Sequence, residues 1–344
     1  MNQPVNSSRA AVRKKGLRYN RQTHYRDCSM TLNSSRGAQT EPRLDYVMCA
    51  SPAGAHRMAY WEWGDPDSER VLLCVHGLTR TGRDFDDLAR RLSSHYRVIC
   101  PDVAGRGKSD WLINAGGYVI PQYVADMLTL IARLGSQRLD WVGTSMGGLI
   151  ALALAGTLTM SAVLRPDRGP NGLPPDLGLR LGKVILNDIG PSLNFSGLAR
   201  IAGYVGMPVY LDSFEQAVEY VRTVSAGFGE HDQAGWEQLA RHVFTEQNGK
   251  WVKHYDLRLA EPFALQDEET MRASESMLWK AYEDIDTPVL VMRGAQSDLL
   301  TADTAREMLE RNPNAVLYEV PRVGHAPMLN TTEQIASVER FLLA

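Results

Sequence analysis

The chain has 344 residues, 44% hydrophobic and 22% charged, a balance that fits one large core with an inserted or appended subdomain and excludes wholesale disorder. Its net charge of −3 hides an asymmetry. Eight of the 37 Lys/Arg lie in residues 1–40 against Asp27 alone among the 40 acids, so the remaining body is acidic, which argues against nucleic acid as the main partner.

In chain order, the Arg-rich, Ser-containing segment 1–43 reads as a basic leader: a solvated tail, or an over-long upstream start with Met48 near the true beginning. It holds no apolar block that could act as a secretory signal, and no run in the chain approaches the roughly 18–20 apolar residues of a membrane span, so the expected compartment is the cytoplasm. Four cysteines, Cys28, Cys49, Cys74 and Cys100, lie far apart, two of them in or beside apolar runs. Neither disulfides nor a metal or cofactor site is expected.

From Leu44 the sequence alternates short β-rich runs with helical patterns, as in an α/β sheet. Leu44 to Cys49 and Arg57 to Trp63 suggest an antiparallel start. Strands covered on both faces follow at Val71 to Val75, Arg97 to Cys100, Leu139 to Val142 and Val184 to Leu186. Helical spacing separates them, through Phe85, Leu88 and Leu92 and through Met127, Leu130, Ile131 and Leu134. Two segments break the rhythm. Residues 165–182 are rich in Pro and Gly and read as a surface loop. Residues 191–284 show helical patterns, no convincing strand and scattered aromatics (Tyr204, Tyr210, Trp236, Trp251, Tyr255), and read as a helical cap. The core is thus assigned to 44–190 and 285–344, its second part carrying strands at Val289 to Met292 and Val316 to Val320. A helix over Ala302 to Leu309 follows the first of these, and a last helix opens at Thr331 and Gln334.

Gly143-Thr144-Ser145-Met146-Gly147 matches G-x-S-x-G, a pattern that chance supplies at roughly 0.15 per chain of this composition. Context strengthens it, because an apolar strand precedes and a helix-forming run follows, the setting of a nucleophile elbow. Ser145 is therefore the expected nucleophile, and a serine hydroxyl needs a base held in one tautomer by an acid. His325, in Gly324-His325-Ala326-Pro327 after the last strand, is the expected base. Asp298, after the strand ending at Arg293, is the expected acid, and Asp188, after an earlier strand, is the competing one, otherwise organising the cap entrance. All leave the same rim of the sheet. Backbone N–H groups of Met146 and of Leu78, in His76-Gly77-Leu78, are the expected oxyanion donors. His76 reads as a structural residue of that turn. Arg80 and Arg83 read as ion-pair partners of Asp84, Asp86 or Asp87, and Asp102 to Ser109 as a rim loop, because its glycine spacing fails the phosphate-loop pattern.

Together, His76-Gly77, Asp102 to Ser109, Gly143 to Gly147, Asn187 to Pro191, Asp298 and Gly324-His325 resemble the α/β-hydrolase superfamily over residues 45–344. Within it the chain is similar to the capped bacterial branch of carboxylesterases, enol-lactonases, carbon-carbon bond hydrolases and cofactor-free haloperoxidases. The resemblance implies an eight-stranded, mostly parallel sheet with a helical lid between its sixth and seventh strands. Serine at 145 departs from the aspartate of the haloalkane dehalogenases and epoxide hydrolases. The expected activity is hydrolysis of a small carboxylic ester or lactone through an acyl-enzyme. The alternatives are a carbon-carbon bond hydrolase, which would favour a cationic cap residue such as Arg200 or Arg222 near the pocket, and a non-catalytic ligand receptor.

Overall fold

The computed structural model describes Met1 and residues 41–164, 178–264 and 268–344; residues 2–40 of the leader, 165–177 of the Pro/Gly-rich insertion and 265–267 lie outside it. Eight strands form one sheet: β1 (Arg43–Ser51), β2 (Gly54–Trp63), β3 (Val71–Val75), β4 (Arg97–Pro101), β5 (Arg138–Thr144), β6 (Arg180–Asn187) and, after the inserted segment, β10 (Val289–Gly294) and β11 (Ala315–Val320). Their spatial order is β1-β2-β4-β3-β5-β6-β10-β11. The β1/β2 and β2/β4 pairs are antiparallel and all the others parallel. The sequence-predicted strands are all present, with ends moved by a few residues. β1 runs through Met48, and Arg180–Gly182, expected in the loop, open β6.

Side-chain alternation explains why β3 is apolar throughout. Val71, Leu73 and Val75 join one core with Met127 and Leu130 of α2 (Ile120–Leu134) and Ile150 and Leu154 of α3 (Met146–Leu164). Leu72 and Cys74 face the other core, with Leu88 and Leu92 of α1 (Asp86–Leu92) and Val338 and Leu342 of α10 (Thr332–Leu343). A strand whose successive residues point to opposite faces must be apolar at every position when helices cover both. The sheet edge that carries Ser145 therefore rests on two packed layers. α3, apolar on nearly all sides, lies between the sheet and α8 (Glu268–Glu283), yet no helix among the described residues is long and apolar enough to cross a membrane. α10 has the predicted cap, with the Thr331 side chain accepting from Gln334 N–H, while α9 (Ala302–Arg311) is capped by Thr301.

Between β6 and β10 the chain inserts α4 (Phe195–Ala202), α5 (Phe214–Val224), α6 (Gln233–Val243), α7 (Ala260–Ala264) and α8. The expectation of a strandless insertion is corrected here. β7 (Tyr210–Leu211), β8 (Phe244–Gln247) and β9 (Lys250–Lys253) form a small antiparallel sheet in the order β7-β9-β8. The cause is local. Asn248 and Gly249 take φ of 52° and 75°, the left-handed pair that a two-residue hairpin turn requires and that Asn-Gly supplies at low cost. Ala217, Val218 and Val221 pack against Trp236, Leu239 and Phe244 in a core of the insertion's own.

Candidate active site

Ser145 sits between β5 and α3 with φ of 51°, a strained left-handed conformation for a residue with a Cβ. The residues two positions to either side, Gly143 and Gly147, must be glycine. A Cβ on Gly147 would lie 2.0 Å from the Val75 carbonyl oxygen, and one on Gly143 would lie 2.5 Å from the backbone of Gly147. This close approach of strand and helix lifts the Ser145 hydroxyl above the sheet edge. Ser145 N–H is tied to the Asn187 carbonyl at 2.9 Å, and the carbonyl of Ser145 accepts from Gly148 and Leu149.

His325 Nε2 lies 2.9 Å from Ser145 Oγ, and its Nδ1 lies 2.7 Å from Asp188 Oδ2. Asp188 is fully buried, follows β6 directly and, like Ser145, has a left-handed φ, of 55°. Its carboxylate also accepts from Gly294 N–H at 2.7 Å and Ser297 Oγ–H at 2.6 Å. A carboxylate with three donors around it is held in one rotamer and kept ready to orient the ring.

Asp298, the acid expected from sequence, is not the residue against His325. Its carboxylate is turned to Arg200 of α4 in a two-pronged pair at 2.5 and 2.8 Å, which holds its pKa below the ordinary carboxylate range. It is partly exposed there. The physical reason is the geometry of the Gly294–Asp298 loop: Ser297 points inward to Asp188, so the next side chain points out toward α4. Asp188 takes the place facing histidine instead of organising the insertion's entrance.

Gly77, in the loop after β3, comes close to Ser145, where a Cβ on the glycine would be 3.7 Å from Ser145 Cβ, and Leu78 lines the same cavity. The N–H groups of Leu78 and Met146 engage no acceptor among the described residues, and Met146 opens α3, where the helix dipole favours negative charge. His76 is fully buried: Nδ1 pairs with the Gly77 carbonyl at 2.7 Å and Nε2 accepts from Val103 N–H at 2.9 Å. Burial pulls its pKa down to about 4, so it is a neutral brace between two rim loops. Asp102 organises the second of these loops, accepting from Gly82 N–H at 2.7 Å and Lys108 N–H at 2.9 Å.

Arg106 carries a role that sequence reasoning missed. It is fully buried with no carboxylate partner among the described residues, and it donates to the Leu78 carbonyl at 2.8 Å, the Ala104 carbonyl at 2.7 Å, Tyr123 Oη at 2.8 Å and Met146 Sδ at 3.4 Å. One guanidinium thus ties Leu78 and Met146, the two residues whose N–H groups the sequence singles out, to one point. Nothing in the pattern Gly105-Arg106-Gly107 separates such a residue from an exposed arginine.

The cavity over Ser145 and His325 is lined from the sheet side by Leu78 and Arg80 and from the insertion by Tyr204, Tyr220, Phe228 and Lys253. Of the aromatics singled out from sequence, Tyr204 and Tyr255 line it. Trp236 packs in the insertion's own core, and Tyr210 is exposed. Arg80 and Arg83 form the expected pairs, with Asp84 and Asp86. Arg222 donates to Gln233 and does not line the cavity. Elsewhere, Cys49, His56 and Asp126 bring ligand-type atoms within 4.8 Å of one another. His56 Nε2 pairs with Asp126 at 3.1 Å, and burial pushes the Cys49 thiol up to about 12. Cys49, Cys74 and Cys100 are free and buried.

Residues 72–338 match the alpha/beta hydrolase family. The 3-hydroxybutyrate-oligomer hydrolase of Cupriavidus necator is 49% identical to this chain, over 87% of the chain and 97% of the relative. An alpha/beta hydrolase from Novosphingobium aromaticivorans aligns with a TM-score of 0.72 at 33% identity, over 89% of this chain and 99% of that one. A structure from Rickettsia typhi aligns with a TM-score of 0.75 at 28% identity, over 88% and 99%. The chain belongs to the alpha/beta hydrolase family, and it is a hydrolase that acts on ester bonds.

Proposed function

We propose that the chain cleaves short linear oligoesters of a 3-hydroxy acid through an acyl-enzyme on Ser145, with His325 as base and Asp188 as the orienting acid. The observation that carries this is the unbroken relay from Ser145 Oγ to His325 to Asp188, opening into a cavity. The name of the Cupriavidus necator relative supports the substrate class. His325 takes the Ser145 proton as Oγ attacks the ester carbonyl. The oxyanion meets the N–H groups of Leu78 and Met146, preplaced donors of a kind whose single loss costs on the order of 100 to 1000-fold in turnover. The alkoxide leaves with the proton from His325, and water repeats the sequence to release the acid. In this reading residues 191–284 act as a cap that shapes the cavity, no cofactor takes part, and the protein works in the cytoplasm on a small-molecule substrate.

A fluorophosphonate probe followed by peptide mass spectrometry tests the nucleophile. Labelling on Ser145 that vanishes in Ser145→Ala, together with release of hydroxy acid from the 3-hydroxybutyrate trimer, is the expected result. Labelling that survives the substitution rejects the assignment.

A further inference from the structure

Three cations of the insertion and rim line the cavity: Arg80, Arg200 and Lys253. Two are already neutralised. Arg80 donates twice to Asp84, at 2.7 and 2.6 Å, and Arg200 twice to Asp298. Lys253 differs. It is 9% exposed, and its Nζ donates to the Tyr204 carbonyl at 2.9 Å and lies 5.6 Å from the ring centres of both Tyr220 and Tyr255. No carboxylate among the described residues pairs with it. A sequestered ammonium with spare N–H groups is costly unless an anion completes it.

We propose that Lys253 anchors the free carboxylate of the oligoester, so that the enzyme recognises its substrate by the carboxyl end. The inference rests on the oligoester reading above. Every such oligomer, whatever its length, carries one carboxylate at one end, and a fixed ammonium in the cavity over Ser145 meets that group. β9 fixes the anchor, because Lys253 pairs with Phe244 across the hairpin and His254 N–H is held by the Val243 carbonyl. Burial also pulls the Lys253 pKa down to about 8. The groups around it keep their charge near that pH. Burial raises the phenols of Tyr204, Tyr220 and Tyr255, which stay neutral, the imidazole of His254 is lowered, and Arg80 and Arg200 remain paired.

The test compares kcat/KM for the 3-hydroxybutyrate trimer as free acid and as its terminal carboxamide. The wild type is expected to prefer the acid by at least about tenfold, through KM, the scale of a charge-assisted contact in a low-dielectric site. In Lys253→Met the ratio falls to about one, and in Lys253→Arg it stays high. The wild type alone supplies a second readout: the acid-to-amide ratio declines above about pH 8 as the ammonium loses its proton, while any pH effect on the shared chemical step acts on both substrates and cancels in the ratio. Equal cleavage of both forms by the wild type, or a ratio that Lys253→Met leaves unchanged, overturns the anchor and leaves the oligoester reading standing. Cleavage of neither form overturns both.

Discussion

The carboxylate of Asp188 and the imidazole of His325 meet at 2.7 Å across 137 residues of sequence, while Asp298 is turned toward Arg200. Asp188→Asn should therefore lower kcat on p-nitrophenyl butyrate by about 10³ to 10⁴-fold, because the amide stabilises the wrong histidine tautomer and cannot support the imidazolium. Asp298→Asn should cost less than about tenfold, mostly in KM, as Arg200 loses its partner. Steady-state kinetics on the two variants decides, and the reverse order of effects would return the acid role to Asp298.

The part of the site legible in the sequence was the part written in local turn chemistry. Ser145 lies between glycines that a strand-to-helix turn needs, and His325 follows Gly324 after a strand. The acid was not legible, because β6 and β10 are neighbours and both Asp188 and Asp298 leave the same rim. Which carboxylate swings inward depends on the left-handed φ of Asp188 and on whether Ser297 or Asp298 points inward from its loop, and neither property is visible in composition or spacing. The β8–β9 hairpin was legible after all, in Asn248-Gly249. Arg106 and Lys253 were not: their significance is burial without a counter-ion among the described residues, a tertiary property.

The close approach of strand and helix around Ser145 makes Gly147 intolerant of a side chain. Gly147→Ala places a methyl group 2.0 Å from the Val75 carbonyl oxygen, where backbone faces backbone and no side chain can yield. Gly135→Ala, at a helix end with nothing within 4 Å of the new Cβ, strains only a φ of 70°. Urea titration should show Gly147→Ala destabilised by about 3 kcal/mol or more, the scale of overpacking with backbone shift, and Gly135→Ala by about 1 kcal/mol. Comparable losses in the two variants would mean that the strand and helix separate easily.

Arg106→Lys tests whether the guanidinium is a positioning residue. Lysine keeps the charge but loses the planar fork that reaches Leu78 and Met146 together. Displaced rather than deleted oxyanion donors should lower kcat about 10 to 100-fold with KM changed by less than about threefold, since the oxyanion forms only after binding. A variant with lower melting temperature but wild-type kcat would show that Arg106 holds the fold and not the donors.

His76 links the same loops to acid stability. Its pKa in the folded protein, about 4, lies below the ordinary 6.5, chiefly through burial, with Arg106 adding to the effect and the Gly77 carbonyl opposing it. The sign follows from proton counting. As pH falls through 6.5 the unfolded chain takes up a proton that the folded one refuses until about pH 4, so stability is complete above 6.5 and is lost between 6.5 and 4, on the order of 3 kcal/mol in all. His76→Gln keeps a donor and an acceptor for Gly77 and Val103 but cannot titrate. Its unfolding free energy from urea titrations between pH 7 and 4.5 should therefore fall less steeply than that of the wild type, by close to one proton. His242, also lowered to about 4, and Asp102, raised to about 6 and acting with the opposite sign, are present in both proteins and cancel in the difference. Parallel curves for the two proteins would mean that His76 opens to solvent before the molecule unfolds, and the brace between the rim loops would have to be sought elsewhere.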